Sequence, residues 1–146
     1  MNEISFEGME EVIEVLDTLI TPEKINRAIT KACLLVERTA KQNASKFRGT
    51  GELVNSIQSK ADGNTGIVFT NLFYAPYVEY GTGLFAENGN GRKDVPWVYY
   101  DLKNDEFVAT NGREPTPFLR PAIDENRENI KKVVRKEILK KDDGLQ

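Results

Sequence analysis

In two stretches of this 146-residue chain, mostly apolar side chains recur at helical spacing and form one stripe along a helix face. The stretches lie on either side of a turn-rich middle, and they most constrain how the chain can fold. The first predicts a helix over residues 22–45, which Thr21 can cap and Pro22 can begin. The second predicts a final helix over residues 118–141. The first stripe consists of Ile25, Ala28, Ile29, Ala32, Cys33, Val36 and Ala40, and the second of Leu119, Ala122, Ile123, Asn126, Ile130, Val133, Val134 and Ile138. A sheet built from the middle of the chain would cover both stripes.

The middle of the chain, residues 52–110, predicts two β-hairpins. The first covers residues 55–72, where the strand-like end of "ELVNSIQSKA" and the β-branched "IVFTNL" flank the turn cluster "DGNTG". The second covers residues 95–110, with "KND" as its turn. Between the hairpins lie a crossing at residues 73–83 and a loop at residues 84–94 that is rich in glycine and asparagine.

This order of elements predicts a single domain of the α+β class over residues 1–146. We expect an antiparallel sheet of about four strands, in two hairpins, packed on one face by the two long helices, plus a short N-terminal helix. The expected boundaries are 1–20 for a short strand and helix, 21–46 for the long helix, 52–110 for the two hairpins, 117–141 for the C-terminal helix and 142–146 for a frayed tail.

The residue types exclude several kinds of catalysis. The chain has no histidine, so Ser-His-Asp and Cys-His mechanisms cannot be built and the commonest metal ligand is missing. With Cys33 as its single cysteine, the chain can form neither an ordinary zinc site nor an internal disulfide. Cys33 lies on the apolar stripe of the first helix, so we expect a buried side chain and not a reactive thiol.

Phosphate-binding and glycosidase chemistry are not indicated either. The stretch "GTGLFAENGNG" lacks the Lys-Ser/Thr pair that a phosphate-binding loop requires at fixed spacing. The acids of this region, Glu79, Glu87, Asp94 and Asp101, are scattered through loop and strand and do not mark a catalytic pair. The sequence therefore predicts a protein that is not an enzyme, with no catalytic residue, no metal site and no cofactor.

The charge is unevenly distributed although the net charge is only −3. Residues 1–23 carry seven acids and no base, whereas residues 24–60 carry eight bases and two acids. The asymmetry fits electrostatically distinct faces, or solvated helix faces that merely differ in sign. Lysines and arginines on the two long helices could contact phosphates, so the alternative function is a small nucleic-acid-binding or regulatory protein. The isoelectric point of about 5.2 and the lack of a known module weigh against it.

Membrane association is not predicted. No run of 18 or more apolar residues occurs, so no transmembrane helix is expected. The acidic start "MNEISFEGMEEVIEV" does not have the form of a secretory signal.

The stretch "YAPYVEYGTG" at residues 74–83 is open to two interpretations. Tyr74, Tyr77 and Val78 could plug the sheet, with the two glycines as turn residues. Alternatively, the three tyrosines around Pro76 could form part of a protein interface, because tyrosine offers a large rigid surface with a polar tip. One segment can serve both purposes.

Three motifs in a fixed order resemble a known family: "TGELVNSI" at 50–57, "YAPYVEYGTG" at 74–83 and "PFLRPA" at 117–122. Together they are similar to the small tail-completion or head–tail connector proteins of long-tailed double-stranded DNA phages, often labelled minor tail components. The resemblance spans roughly residues 5–140. The matching positions are Gly51, Leu53, Ser56 and Ile57 in the first motif, Tyr74, Ala75, Tyr77, Val78, Glu79, Gly81 and Thr82 in the second, and Pro117, Phe118, Arg120, Pro121 and Ala122 in the third, with Tyr80 where Phe is common.

The resemblance implies a structural role in a phage or prophage virion, made in the host cytoplasm and placed at the head–tail junction. Family members assemble as homo-oligomeric rings, typically hexamers, on other tail and head-connector proteins, and DNA passes through without sequence-specific binding. A mildly acidic chain suits that role, because like charge keeps DNA mobile. The implied interface or structural residues are Tyr74, Pro76, Tyr77, Glu79, Tyr80, Gly81, Thr82, Pro117, Phe118, Arg120 and Pro121.

Two structural predictions follow from the motifs. Glu79 is the lone acid of the aromatic stretch, and Arg120 offers a planar fork to a carboxylate, so we expect the two to pair within the chain or between subunits. The loop at residues 84–94 is predicted to be mobile in the free protein and to order on assembly. Pro117 and Pro121 bracket Phe118 and suit the entry and first turn of the last helix.

Overall fold

The computed structural model describes residues 20–47, 49 and 51–141. The strand and helix expected within residues 1–20 fall outside the described residues except for residue 20, as does the tail at 142–146. The described part forms four α-helices, α1 Pro22–Ala44, α2 Glu52–Ser56, α3 Ala75–Tyr80 and α4 Leu119–Ile138, and a 3₁₀ turn at Glu87–Gly89. Its strands are β1 Gln58–Asp62, β2 Thr65–Phe69, β3 Thr82–Gly83, β4 Trp97–Asp101, β5 Glu106–Thr110 and β6 Gly112–Arg113.

The two long helices pack against each other in antiparallel directions. Near one end of the pair, the Asn43 side-chain amide donates to the carbonyl oxygen of Phe118 at 3.3 Å. Near the other end, the Lys31 ammonium lies 2.7 Å from the buried carboxylate of Glu137. Helix α1 begins as its sequence indicates, because the Thr21 hydroxyl oxygen accepts a hydrogen bond from the backbone N–H of Lys24.

The first hairpin, β1 and β2, packs on α1. Its two-residue turn begins at Gly63, whose φ of 57° is the left-handed conformation that glycine adopts without strain. A Cβ at Gly66 would overlap the Cys33 sulfur, so the glycine lets the strand lie directly on the helix. Cys33 is buried there, as expected, and burial raises the pKa of its thiol.

The hairpin is shorter than the sequence indicated. Asn55 and Ser56, at the start of the predicted hairpin, belong to the helical turn α2, and pairing begins only at Gln58. Leu53 and Ile57 are 2 % and 1 % exposed, whereas Asn55 midway between them is exposed. This fits a helical turn, because residues 53, 55 and 57 would share one face of a strand. In the sequence alone, five residues are too few to distinguish the helical period of about 3.6 residues from the strand period of about 2.

The expectation of a single sheet of about four strands is wrong for the described residues. Their strands form three separate two-stranded antiparallel sheets: β1 with β2, β3 with β6, and β4 with β5. The stretch 111–117, which lies between the second predicted hairpin and the last helix, contains β6, which pairs with β3 through Thr82 opposite Arg113. This pairing ties the base of the second hairpin to the end of α3 and not to the edge of the first hairpin.

The hydrophobic core lies between the helices, the first hairpin and α3. Its largest fully buried side chains are those of Phe118, Leu53 and Ile57. The buried core consists of Val36, Ala40, Ala44, Leu53, Ile57, Ala75, Val78, Phe118 and Ala122. The fold is therefore of the α+β class, as predicted, and all three sequence motifs contribute side chains to one core.

Candidate functional site

Helix α3 carries the central motif and separates its residues onto two sides. Ala75, Val78 and Glu79 are buried, whereas Tyr77 and Tyr80 are 58 % and 44 % exposed. The interpretation in which Tyr77 plugs the core is therefore wrong. Helical spacing places Ala75, Val78 and Glu79 on the buried side of α3 and Tyr77 on the exposed side.

The remaining motif residues divide in the same way. Tyr74 is half-buried against the core and its ring lies 6.3 Å from that of Phe47, while Pro76 is exposed.

The carboxylate of Glu79 caps the N-terminus of α4. One of its oxygens accepts hydrogen bonds from the backbone N–H groups of Phe118 and Leu119 at 2.8 and 3.0 Å. The other accepts from the backbone N–H and the side-chain Nε of Arg120, at 3.0 and 2.9 Å. Helix α4 has no capping side chain at its own start, so a buried residue from another element satisfies its first donors.

Arg120 joins three parts of the chain. Besides its contact with Glu79, its guanidinium binds both carboxylate oxygens of Glu87 in the 84–94 loop, at 2.9 and 3.1 Å. It also lies 4.5 Å above the ring of Tyr80. The predicted Glu79–Arg120 pair is therefore present within the chain, and it is the centre of a larger cluster that includes Glu87.

The electrostatics of the cluster favour the charged forms of its members. Burial alone would raise the pKa of Glu79, but hydrogen bonds from the backbone of residues 118–120 and from the Arg120 side chain hold it below its ordinary value. The pKa of Arg120 is raised by its bonds to Glu87 and Glu79. The buried carboxylate therefore stays ionised at neutral pH.

This shift predicts a specific loss of stability in acid. Because the folded pKa of Glu79 is depressed, its stabilising contribution is complete above its ordinary pKa of 4.5 and disappears as the pH falls through the lower folded value. We expect the difference in unfolding free energy between the wild type and Glu79→Gln to be constant above about pH 5.5 and to shrink below about pH 4.5. Urea denaturation of both proteins across this range measures it, and a difference that is flat down to pH 3 would contradict the assignment.

The end of the central motif, at Gly81 and Thr82 of "YAPYVEYGTG", packs against and hydrogen-bonds to the segment that precedes α4. Gly81 has a φ of 80°, and a Cβ there would lie 2.9 Å from the carbonyl oxygens of Arg113 and Phe85. The Thr82 hydroxyl accepts a hydrogen bond from the backbone N–H of Arg113, and the carbonyl of Val78 accepts one from Thr116. These contacts explain why a glycine and a hydroxyl residue close the motif.

The third motif is placed by the same contacts. Phe118 is 1 % exposed and occupies the N-cap position of α4, while Pro117 and Pro121 on either side of it are half-buried. Pro121 falls in the first helical turn, where a missing N–H is tolerated.

Two further members of the site were not indicated by the sequence. Glu87 contacts Arg120, and the side chain of Asn43 binds the carbonyl of Phe118. The first was named only as one of several scattered acids. The lack of a Ser, Thr, Asp or Asn immediately before α4 is the signal that could have indicated a capping group from elsewhere.

An apolar surface adjoins the cluster on the side of the second hairpin. An open groove of about 640 Å³, which we call the aromatic groove, separates α3 from the base of β4. Its lining includes Phe47, Phe73, Tyr77, Trp97, Tyr99 and Arg113. The opposite face of the hairpin is also uncovered, with Val98 and Phe107 at 62 % and 76 % exposure. A cluster of exposed apolar side chains on both faces of one hairpin is typical of proteins that dock onto partners.

Residues 20–47, 49 and 51–141 offer neither a metal site nor a membrane-spanning helix. In that part of the chain no group of His, Cys, Asp and Glu residues could hold a metal ion. None of the helices described there has the length and apolar character needed to cross a membrane.

The chain belongs to the HK97-gp10-like family, described as "Bacteriophage HK97-gp10, putative tail-component", whose sequence model matches residues 8–81. The match covers slightly more than half of the chain and includes the first two motifs. The third motif, at residues 117–122, lies beyond it. No curated protein and no solved structure matches the chain. The family supports a structural role in a phage tail and a location in the virion.

Proposed function

We propose that this protein completes the phage tail and joins it to the head connector, as a subunit of a ring through which the DNA passes. Family membership supports the tail role. The order of the three motifs supports the more specific place at the head–tail junction. In this role the Glu79–Arg120 cluster is structural: it fixes α3, the 84–94 loop and α4 as one rigid support for the exposed surface.

The observation that carries the proposal is the concentration of exposed apolar side chains around the central motif and the second hairpin. The most exposed of them are Phe73, Tyr77, Leu84, Val98, Leu102 and Phe107, at 58–87 %. A free surface of this kind costs solubility unless a partner covers it, and aromatic residues are enriched in interface cores. The helical side of the molecule supplies the scaffold and the hairpin side the contacts.

The charges of the long helices fit a channel that does not grip DNA. Several of their basic residues already contact acids: Lys31 with Glu137, Lys41 with Glu37, Arg127 with Asp124 and Lys131 with Glu128. A base held by a neighbouring carboxylate contributes less to phosphate binding than a free one, since its charge is partly neutralised. This pairing favours the ring over the nucleic-acid-binding alternative.

The proposal is tested by removing the gene from a phage or inducible prophage that carries it. We expect filled heads and separate tails to accumulate, joined particles to fall to background, and a complementing copy to restore them. Antibody against the protein should label wild-type particles at the head–tail junction in electron micrographs. Joined infectious particles in its absence, or label confined to the distal tail, would contradict the proposal, and so would salt-dependent binding of the purified protein to DNA at micromolar concentration.

A further inference from the structure

The tip of the second hairpin forms an exposed apolar knob, which we define as Tyr100, Leu102 and Phe107. Leu102 and Phe107 are 87 % and 76 % exposed, the rings of Tyr100 and Phe107 are 5.0 Å apart at 67°, and Tyr100 is 42 % exposed. Aromatic side chains such as those of Tyr100 and Phe107 are enriched in interface cores, and tyrosine is enriched among the residues that dominate binding energy. Nothing in the described part of the same chain covers them.

The knob is held in one shape before any partner binds. A carboxylate oxygen of Asp101 accepts hydrogen bonds from the backbone N–H groups of Lys103 and Asn104, at 2.9 and 3.4 Å. Its other oxygen accepts from the side-chain amide of Asn104 at 2.8 Å. The Tyr100 hydroxyl donates to Asp105 across the turn. A preorganised tip loses little conformational entropy on docking, which favours its use as a contact element.

The aromatic groove is also apolar and aromatic, so it could receive the knob, but the knob of the same chain cannot enter it. Trp97 and Tyr99, at the base of β4, form one wall of the groove. Leu102 follows three residues beyond Tyr99, so the strand carries it about 10 Å away from that wall. Trp97 and Tyr99 lie on one face of the hairpin, whereas Tyr100 and Phe107 lie on the opposite face and Leu102 lies at the tip. Only another molecule can therefore bring the groove and the knob together.

The charges around the two surfaces are complementary. The tip, residues 101–106, contains three acids and one base. Arg113 is the only charged residue that lines the groove, and no carboxylate of the described residues forms a salt bridge with it. Its guanidinium lies 4.1 Å above the ring of Phe47 at the groove wall. An acidic tip that enters the groove would therefore meet a cation.

We propose that the knob of one copy of this chain seats in the aromatic groove of the next copy, with Arg113 facing the acids of the tip. This inference rests on the proposed function, because it names the contact between neighbouring subunits of the ring. The two surfaces differ, so the contact is head-to-tail, and it generates a ring when the rotation between neighbouring copies closes. The 84–94 loop, attached to Arg120 through Glu87, borders this contact through Arg92, which lies 5.2 Å from the Trp97 ring.

Complementary variants test this contact in purified protein by sedimentation velocity. The knob variant is Leu102→Asp with Phe107→Asp, and the groove variant is Phe73→Asp with Tyr77→Asp. All four side chains are exposed, so both proteins should fold, which circular dichroism checks. We expect the wild type to associate with rising concentration, each variant alone to stay monomeric, and an equal mixture to form a one-to-one heterodimer and nothing larger. Only one working knob and one working groove meet in that mixture.

The contrary outcomes are equally distinct. A wild type that stays monomeric up to about 1 mM, or a mixture that does not associate, overturns the contact. Association that survives in both variants places it on another surface. Leu139→Asp is the matched control, because Leu139 is 67 % exposed on the far end of α4, and this variant should associate like the wild type.

A charge reversal tests the electrostatic part. Arg113→Glu should weaken association about tenfold or more, and adding Glu106→Arg in the same chain should restore part of it. Failure to restore would remove Arg113 from the contact.

Measurements on phage particles distinguish a failure of this inference from a failure of the proposed function. If the knob variant still gives joined particles at the wild-type level, the contact is wrong and the proposed function stands. If the wild type self-associates as described but is absent from purified virions, the proposed function is wrong and the contact stands.

Discussion

Replacing Glu79 with alanine is expected to lower the free energy of unfolding by about 3–5 kcal/mol, because it leaves several backbone donors of α4 without their charged acceptor. The carboxylate accepts three backbone hydrogen bonds at the start of α4, and truncation leaves those donors without an acceptor in a buried place. Because small domains are stable by only about 5–15 kcal/mol, this is a large part of the total. Urea denaturation followed by circular dichroism should show a lower midpoint with an unchanged slope.

The matched control removes the other carboxylate that Arg120 binds. Glu87→Ala breaks an ion pair that is exposed on its arginine side, where Arg120 is 44 % accessible, so we expect a loss of at most about 1 kcal/mol. Glu79→Gln should fall between the two variants, since an amide oxygen can accept some of the same bonds but carries no charge. Equal losses for Glu79→Ala and Glu87→Ala would show that Arg120, and not the helix N-terminus, is the main partner of Glu79.

The Glu79 site shows where sequence reasoning succeeds and where it stops. The pairing with Arg120 could be predicted, because a lone acid and a lone arginine in two motifs are chemically complementary. The capping of α4 could not be predicted in the same way, since backbone N–H groups carry no residue identity. The predicted pair therefore located the site correctly, but the arginine is not the main partner of Glu79. Most of the hydrogen bonds to the Glu79 carboxylate come from the backbone of residues 118–120.

The hairpins show a second limit. The turn clusters "DGNTG" and "KND" indicated where both hairpins reverse direction, because local signals determine local pairing. Which hairpin lies beside which is decided by long-range contacts, and the two-residue pairing of Thr82–Gly83 with Gly112–Arg113 has no periodic pattern to reveal it. The error of one sheet instead of three has this origin.

The second hairpin also violates the assumption behind its prediction. The sequence predicts this hairpin as part of one sheet packed on one face by the two long helices, yet its Val98, Tyr100 and Phe107 side chains are exposed. A strand that buries its side chains against a partner has the same pattern as one that buries them within its own chain.

The second large effect is expected for Phe118→Ala, which should lower the free energy of unfolding by about 3–5 kcal/mol through a cavity in the core. The ring is 1 % exposed and is one of the largest fully buried side chains of the described residues. Its backbone is held on both sides, by Glu79 at the N–H and by Asn43 at the carbonyl, so α4 cannot shift easily to fill the space. Poor relaxation places the cost in the upper part of the range for such truncations.

The same chemical change at Phe107 is the matched control. That ring is 76 % exposed and touches Tyr100 edge-on, so Phe107→Ala should cost only about 0.5–1.5 kcal/mol in the monomer. Phe118→Leu, which keeps most of the volume, should recover much of the loss of Phe118→Ala. If Phe118→Ala and Phe107→Ala unfold at similar urea concentrations, the third motif is not part of the core, and the support of α4 by the central motif loses its basis. If the difference is as large as expected, residues 117–122 serve first to fix the scaffold on which the exposed surface is built.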